Sequence, residues 1–424
     1  MTCHKAQQRY LQRHAFSGPW TLEGVQGDQY RGAVVIPALA EGDALWATLA
    51  ALLSQRGGWP DGWLIVVVIN AREDCNAQRL DDNLRDLQQL RSGRFAHAPV
   101  GWVDATSDEH RLPLKRGGVG LARKIGCDLV LPHLADNGLL VHLDADCRVE
   151  ETYLHTIEDY FICHDGGAVL PYCHPLPDIE PLRTAMICYE LYLRCHRQGL
   201  HWAGSPYAYH AIGSTMVTTV AAYVKAGGMN CRQAGEDFYF LQQVAKTSGM
   251  GCLDGTVVWP SSRISQRTPF GTGQVIAASA GDSLQQLYHP MTYAVLRDWL
   301  RMVSEHPQDA AEQLLGRAAA IDSGLHDFLL REGFSERWAQ LCRTHEKKER
   351  RLRAFHEWFD GLKSLRCIHA LGESYPAAAA VEQVPRLFEL WGWEVCSDLE
   401  EALVQLRRRD LPWLDAGDVA FLLD

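Results

Sequence analysis

Four acidic residues fall in two short clusters suited to one reaction centre. Asp144-Ala145-Asp146 follows the apolar run Leu139-Leu140-Val141-His142-Leu143, and Glu236-Asp237 opens the apolar stretch Phe238 to Val244. Two carboxylates at the end of a strand are hard oxygen ligands for Mg²⁺ or Mn²⁺, and such an ion neutralises a departing diphosphate. A solvated turn is the competing reading of Asp-x-Asp, because the tripeptide recurs by chance. Acidic residues at a helix start commonly cap it and complement its dipole. The chemical alternative makes one of Glu236 and Asp237 a general base that takes a proton from an attacking hydroxyl. Two acidic pairs, each beside an apolar element, favour the chemical reading of both.

A third group is cationic. Arg263-x-x-x-Arg267, followed by Phe270-Gly271-Thr272-Gly273, joins two guanidinium groups to flexible glycines. Such a segment suits the oxygens of a diphosphate, which arginine grips through paired donors. Gly118-x-Gly120-x-x-Arg123 is a near miss to a dinucleotide fingerprint, with arginine where the third glycine belongs. It also lacks the Gly-Lys-Ser/Thr ending of a phosphate-binding loop, and no Gly-x-Ser-x-Gly elbow supports a serine hydrolase.

The elements that must hold these groups alternate. Ala33-Val34-Val35-Ile36-Pro37 reads as a buried strand stopped by proline, and Asp43 can cap a helix with Leu45, Leu49, Leu52 and Leu53 on one face. Leu64 to Ile69 is a second strand, ending at Asn70 and Asp74; residues 83–91 form a helix with Leu84, Leu87 and Leu90 at helical spacing. A glycine-led helix from Gly117 to Ile125 precedes the strand Gly138 to Leu143. Shorter strand signals recur at Ala168 to Leu170 and Thr256 to Trp259, with a helix at Leu182 to Arg197. This rhythm predicts an α/β fold: a mostly parallel, Rossmann-like sheet flanked by helices, with ligands beyond the carboxyl ends of its strands. Beyond about residue 280 the strand signal is gone and an α-helical C-terminal region follows. The expected division is 1–30 as an extension, 31–280 as the catalytic domain and 281–424 as a helical domain.

Composition bounds the partners. The 424 residues are 47% hydrophobic and carry a net charge of -11. Residues 291–424 hold 17 basic and 23 acidic side chains, leaving 24 and 29 in residues 1–290, so neither part offers a basic nucleic-acid footprint. The longest apolar run, Trp63 to Ile69, is too short to span a bilayer, and the polar N-terminus lacks a secretory core. Thirteen scattered cysteines, without Cys-x-x-Cys, fit a reducing, cytoplasmic setting.

Taken together, these residues resemble the family 2 glycosyltransferases and their relatives with the GT-A fold. The resemblance runs from Val34 to Gly273 and rests on order. Val34-Val35-Ile36-Pro37 with Glu41 is similar to the opening strand and nucleotide loop. Gly120, Ala122, Arg123 and Gly126 match the helix before the metal motif; Asp144-Ala145-Asp146 matches Asp-x-Asp; Gly227-Gly228 followed by Glu236-Asp237 matches the last signature. The resemblance implies a nucleotide-diphosphate sugar donor and Mn²⁺ or Mg²⁺. Asp146 would be the direct metal ligand, Asp144 would contact ribose or metal through water, and Asp237 would be the base of an inverting transfer with Glu236 orienting the acceptor or helix. Pro37, Ala38 and Glu41 would flank the nucleobase with Asn70 near it, and Gly120, Arg123, Arg263 and Arg267 would lie on the donor side.

The chain departs from that pattern at Ile69-Asn70, where relatives often carry paired acids, and at Trp259-Pro260-Ser261-Ser262, where relatives often place a metal-binding histidine. His289 is a late candidate for that ligand, and Arg263 or Arg267 would supply part of the missing charge. The acceptor would be a hydroxyl on a small molecule, glycan or lipid-linked glycan. Two alternatives stand beside this expectation: a sugar nucleotidyltransferase, for which Ala38-Leu39-Ala40-Glu41-Gly42 lacks the usual cations, and a non-catalytic carbohydrate-binding or scaffold protein. Trp338, Trp358, Trp391 and Trp393 suit a core or an interface, including a homo-oligomer through the C-terminal helices. Arg407-Arg408-Arg409 reads as a solvated helix end or a contact for anionic lipid.

Overall fold

The structure is a computed structural model, described over residues 3–95, 98–263 and 286–413. The chain divides into two compact units: Met1–Leu176 with Ala211–Gln274 and Asp410–Asp424, and Pro177–His210 with Val275–Arg409.

The first unit is built on an eight-stranded sheet in the order β1-β4-β3-β2-β5-β8-β7-β9. Its strands are β1 (Leu22–Glu23), β2 (Tyr30–Ala38), β3 (Trp63–Asn70), β4 (Val100–Ala105), β5 (Leu134–His142), β7 (Gly167–Val169), β8 (Met216–Thr219) and β9 (Met250–Cys252). β6 (Arg148–Val149) and β10 (Val258–Trp259) form a separate antiparallel pair. β4, β3, β2 and β5 run parallel, and β8 is antiparallel to both neighbours. The mostly parallel, helix-flanked sheet expected from the alternating pattern is therefore present. All eight residues of β3 are buried, as its unbroken apolar run requires of a strand covered on both faces.

Helices α1 (Cys3–Arg13), α2 (Asp43–Leu53), α3 (Ala77–Arg91), α4 (Val119–Val130), α5 (Tyr153–Cys163), α7 (Val220–Lys225) and α8 (Glu236–Ser248) belong to this unit, while α6 (Leu182–Trp202) belongs to the second. Ile36, Leu49, Val67, Leu87, Val141 and Tyr153 share its core. α4 lies so close to the sheet that a Cβ on Gly126 would stand 2.6 Å from Val35 Cγ1 and 2.8 Å from Val68 Cγ2. Only glycine permits that approach.

Several expectations are corrected here. Proline does not stop β2: Pro37 pairs with Val68 and Ala38 with Ile69. Pairing with β5 ends at Val35, so the missing amide of Pro37 falls where β2 is laddered on one side only. β4 was not foreseen. α3 buries Asn83, Asp86, Leu87 and Leu90, while Leu84 is 46% exposed. Residues 1–30 group with the sheet, and Tyr10 of α1 donates to Asp128 Oδ1 of α4 at 2.7 Å, beside a Lys124–Asp128 ion pair of 2.9 Å. α6, which precedes residue 280 in sequence, groups with the C-terminal helices.

The second unit is helical, with Pro290–Glu305, Ala311–Ile321, Ser323–Arg331, Phe334–Thr344, Lys348–Trp358, Gly361–Leu371, Ala380–Trp391 and Leu399–Asp410 beside α6. One short antiparallel pair, Gln286–Leu287 with Ala378–Ala379, corrects the expectation of no strands there. Trp299, Phe334, Trp338, Phe355 and Phe359 form its aromatic core. Arg407 is buried and grips Glu190 through Nε and Nη2 at 2.7 Å each, so the solvated or lipid-facing reading of that position does not hold. Arg409 lies 3.8 Å over the Trp393 ring. His289 caps the helix Pro290–Glu305, its Nδ1 accepting from the Met291 amide at 3.1 Å, and this is not a metal-ligand role. No helix among the described residues is long and apolar enough to cross a membrane.

Candidate active site

The strand order reverses between β2 and β5. From β2 the chain winds outward through β3 to β4, then returns to lay β5 on the opposite side of β2. β2 and β5 are neighbours at this reversal of strand order, and ligands of such sheets gather beyond the carboxyl ends of the strands at that point. β2 is followed by Leu39 to Gly42, carrying Glu41. β5 is followed by a turn closed by the Cys147 amide on the Asp144 carbonyl at 3.2 Å, carrying Asp144 and Asp146.

The loop after β2 is held in an unusual form. Ala40 has φ 51° and Gly42 φ 52°, the left-handed region that costs a Cβ-bearing residue about 1 kcal/mol. Asn83 Oδ1 accepts the Ala40 amide at 2.7 Å, and Asp86 Oδ2 accepts the Gly42 amide at 3.2 Å. Two polar groups of α3 thus present Glu41. Burial raises the Asp86 carboxyl above its ordinary range. Asn70 is used structurally: its amide donates to the carbonyls of Ala38 at 3.0 Å and Val68 at 3.2 Å, tying the ends of β2 and β3.

Arg123 joins the two acidic clusters. It is 2% exposed, donates from Nη1 to Glu236 Oε1 at 2.6 Å, and pairs through Nη2 with Asp144 Oδ1. Its terminal nitrogens are therefore both engaged by carboxylates. A Cβ on Gly213 would overlap the guanidinium, and one on Gly120 would stand 2.5 Å from the Arg232 carbonyl and 2.9 Å from Glu236 Cβ. Gly120 accordingly lets α4 meet the start of α8; it is a packing position.

Glu236 and Asp237 differ in setting. Glu236 is buried, which pushes its carboxyl up to about 7 against the opposing charge of Arg123. Asp237 is also raised by burial, and its Oδ1 accepts the Phe238 amide at 2.7 Å. Behind them His142, buried with both ring nitrogens unpartnered, is pushed down to about 3 by burial, with Arg123 adding to the shift.

Arg263 reaches the other carboxylate. β10 pairs β6 with Trp259 opposite Arg148 and Val258 opposite Val149. Continuing that antiparallel register carries Ser261 to Arg263 past the Asp144–Asp146 turn. There Arg263 Nη2 pairs with Asp146 Oδ2 at 2.8 Å and with Glu41 Oε2. β10 is not the last strand of the main sheet, but its pairing with β6 is what brings Arg263 in. Arg267 and the glycines after it lie outside the described residues.

The structure thus brings Glu41, Arg123, Asp144, Asp146, Glu236, Asp237 and Arg263 to one end of the sheet, with Pro37 and Ala38 buried in β2 beneath. Asp74 stands apart, paired with Arg72 at 2.5 Å. Sequence reasoning missed Asn83 and Asp86. Their signal was two polar residues at positions i-4 and i-1 to Leu87, on the face that Leu87 and Leu90 bury.

No protein-family model matches this chain, and no curated protein matches it. Among solved structures it is similar to S. aureus TarS 1–349, at 12% identity and a TM-score of 0.36 over 78% of this chain and 90% of that one. The same protein in complex with UDP-GlcNAc aligns at 13% and 0.37 over 89% and 91%. The mannosyltransferase PcManGT from Pyrobaculum calidifontis, in complex with GDP-Man and Mn²⁺, aligns at 14% and 0.36 over 85% and 96%. Likenesses this distant do not speak for the activity of this chain.

Proposed function

We propose that this chain is a cytoplasmic, metal-dependent glycosyltransferase with a GT-A-type sheet, moving a sugar from a nucleotide-diphosphate donor to an acceptor hydroxyl with inversion. One observation carries the reading. Glu41 and the Asp144–Asp146 turn flank the reversal of strand order, and Arg123 couples that turn to Glu236 beside Asp237.

The donor set suits Mn²⁺ or Mg²⁺. Positive charge already sits between two hard carboxylates, since the Arg263 guanidinium bonds both Asp146 and Glu41. Among the described residues no three His, Cys, Asp or Glu side chains converge as a metal cluster. That is compatible with an ion held by one or two carboxylates and completed by water and phosphate, the habit of Mg²⁺. Asp146, with Asp144 beside it, would hold the ion, which when bound supplies charge compensation to the leaving diphosphate. Five carboxyl groups stand here with Arg123 and Arg263, so an anionic donor needs such compensation.

Asp237 takes the acceptor proton as the acceptor oxygen bonds to the anomeric carbon. The bond from that carbon to the diphosphate oxygen breaks, and the nucleoside diphosphate leaves with the electron pair. Glu236, held by Arg123, positions the helix start from which Asp237 acts. Arg263 faces the diphosphate side.

The test is a transfer assay over nucleotide sugars with and without Mn²⁺, preceded by thermal-shift screening of nucleoside diphosphates. Asp146→Ala and Asp237→Asn should each abolish transfer. Undiminished turnover in chelator sinks the metal role; retention of configuration removes Asp237 as base. Pyrophosphate release from a nucleoside triphosphate and a sugar phosphate would decide for a nucleotidyltransferase.

A further inference from the structure

We propose that Glu41 and Asp146 form a single cation position with two alternating occupants, the Arg263 guanidinium and a divalent ion. Glu41 is then a metal-side residue and not a nucleobase contact. The inference rests on the glycosyltransferase reading only in taking a divalent ion as the natural second occupant.

Three observations carry it. One nitrogen, Arg263 Nη2, bonds both Asp146 Oδ2 and Glu41 Oε2. Oxygens that share one hydrogen-bonding nitrogen lie near the separation they take around one small cation at roughly 2.1–2.5 Å. Both carboxylates are also locally built: Glu41 sits on the left-handed loop held by Asn83 and Asp86, and Asp146 on the turn after β5. The arginine, in contrast, is replaceable. Arg263 is 32% exposed in its side chain, against 2% for Arg123, so it is the more readily released of the two; Glu41 and Asp146, 13% and 24% exposed, then need the second cation to stay neutralised.

The two arginines thereby divide the Asp-x-Asp pair. Arg123 is locked between Asp144 and Glu236 and stays; Arg263 is the exchangeable partner of Asp146. A guanidinium does not lose its proton near neutral pH, so only another cation displaces it. Once displaced it remains beside the Asp144–Asp146 turn, where a diphosphate offers paired oxygens.

The experiment titrates the full chain, free of nucleotide, with Mn²⁺ and follows free Mn²⁺ by electron paramagnetic resonance. Arg263→Gln should bind Mn²⁺ roughly tenfold or more tightly than the parent, because a unit charge in contact with the ligand oxygens is removed. Arg263→Lys, which keeps the charge, should stay near the parent. Arg148→Gln, an exposed charge on β6, controls for general electrostatics and should change little. In the Arg263→Gln background, Glu41→Gln should weaken binding and Asp146→Asn should abolish it. Equal or weaker Mn²⁺ binding by a folded Arg263→Gln protein overturns the exchange, as does an equal gain in Arg148→Gln. No effect of Glu41→Gln in that background overturns the role of Glu41. UDP and GDP are titrated separately by thermal shift with Mn²⁺. Competition for Mn²⁺ without binding of either nucleotide keeps the exchange and sinks the glycosyltransferase reading; nucleotide binding without competition does the reverse.

Discussion

Arg123 Nη1 stands 2.6 Å from Glu236 Oε1, so a residue in the second turn of α4 is ion-paired to the first residue of α8. The other terminal nitrogen holds Asp144. Two acidic clusters 90 residues apart in sequence thus share one buried cation.

Breaking that link strands buried charge. Arg123→Gln should lower stability by about 3–5 kcal/mol at pH 8, measured by urea unfolding, because removing one partner leaves the other ionised and dry. The loss should shrink at pH 5, where Glu236 escapes by taking a proton. An equal loss at both pH values would count against Glu236 as the residue left exposed to the penalty.

Glu236 also predicts a pH dependence. Its folded-state value is raised from 4.5 to about 7, so the folded protein holds a proton that the unfolded chain has lost. That stabilisation is complete below 4.5 and disappears as pH rises through about 7. Glu236→Gln should flatten the fall in melting temperature across this window. If the neighbouring pair must be ionised for transfer, kcat/KM drops by roughly tenfold per pH unit below its acidic limb. Glu236→Gln should move that limb to lower pH, since the pair titrates as a unit.

The loop after β2 predicts opposite signs for two substitutions. Ala40→Gly should stabilise by about 1 kcal/mol, because φ 51° suits glycine. Asn83→Ala should destabilise by about 1–3 kcal/mol, because the Ala40 amide loses its acceptor. Urea midpoints read both, and destabilisation by Ala40→Gly would show that the loop needs the methyl group.

In the helical unit, Glu190 pairs with Arg194 at 2.8 Å as well as with Arg407. Glu190→Gln should cost about 3–5 kcal/mol, whereas Arg408→Gln, next to Arg407 but exposed, should stay within about 0.5 kcal/mol. Thermal melts of the two variants check the contrast.

The parallel strands were legible because β2 and β3 are near-continuous β-branched runs, a pattern that only a strand covered on both faces requires. β4 was not, since Val100-Gly101-Trp102-Val103-Asp104-Ala105 breaks its run with glycine and aspartate. Asp104 is there to accept the amides of Thr106 and Ser107 at 3.1 and 3.0 Å. In α3 Leu87 and Leu90 are buried as their spacing requires, but Leu84 is exposed, and Asn83 and Asp86 turn inward to the β2 loop in its place.

The acidic clusters, the glycines of α4 and the alternation of strand and helix follow from the sequence alone, since each is a local matter of side-chain type, spacing and periodicity. Which carboxylate meets which arginine does not. Arg123 reaches Glu236 because α4 and α8 pack through Gly120, and Arg263 reaches Asp146 and Glu41 because β10 pairs with β6 beside the reversal of strand order. Those partnerships join residues between 21 and 222 positions apart. Only closure of the sheet and its helices into one packed unit sets such distances, and with them the division between a locked arginine and an exchangeable one.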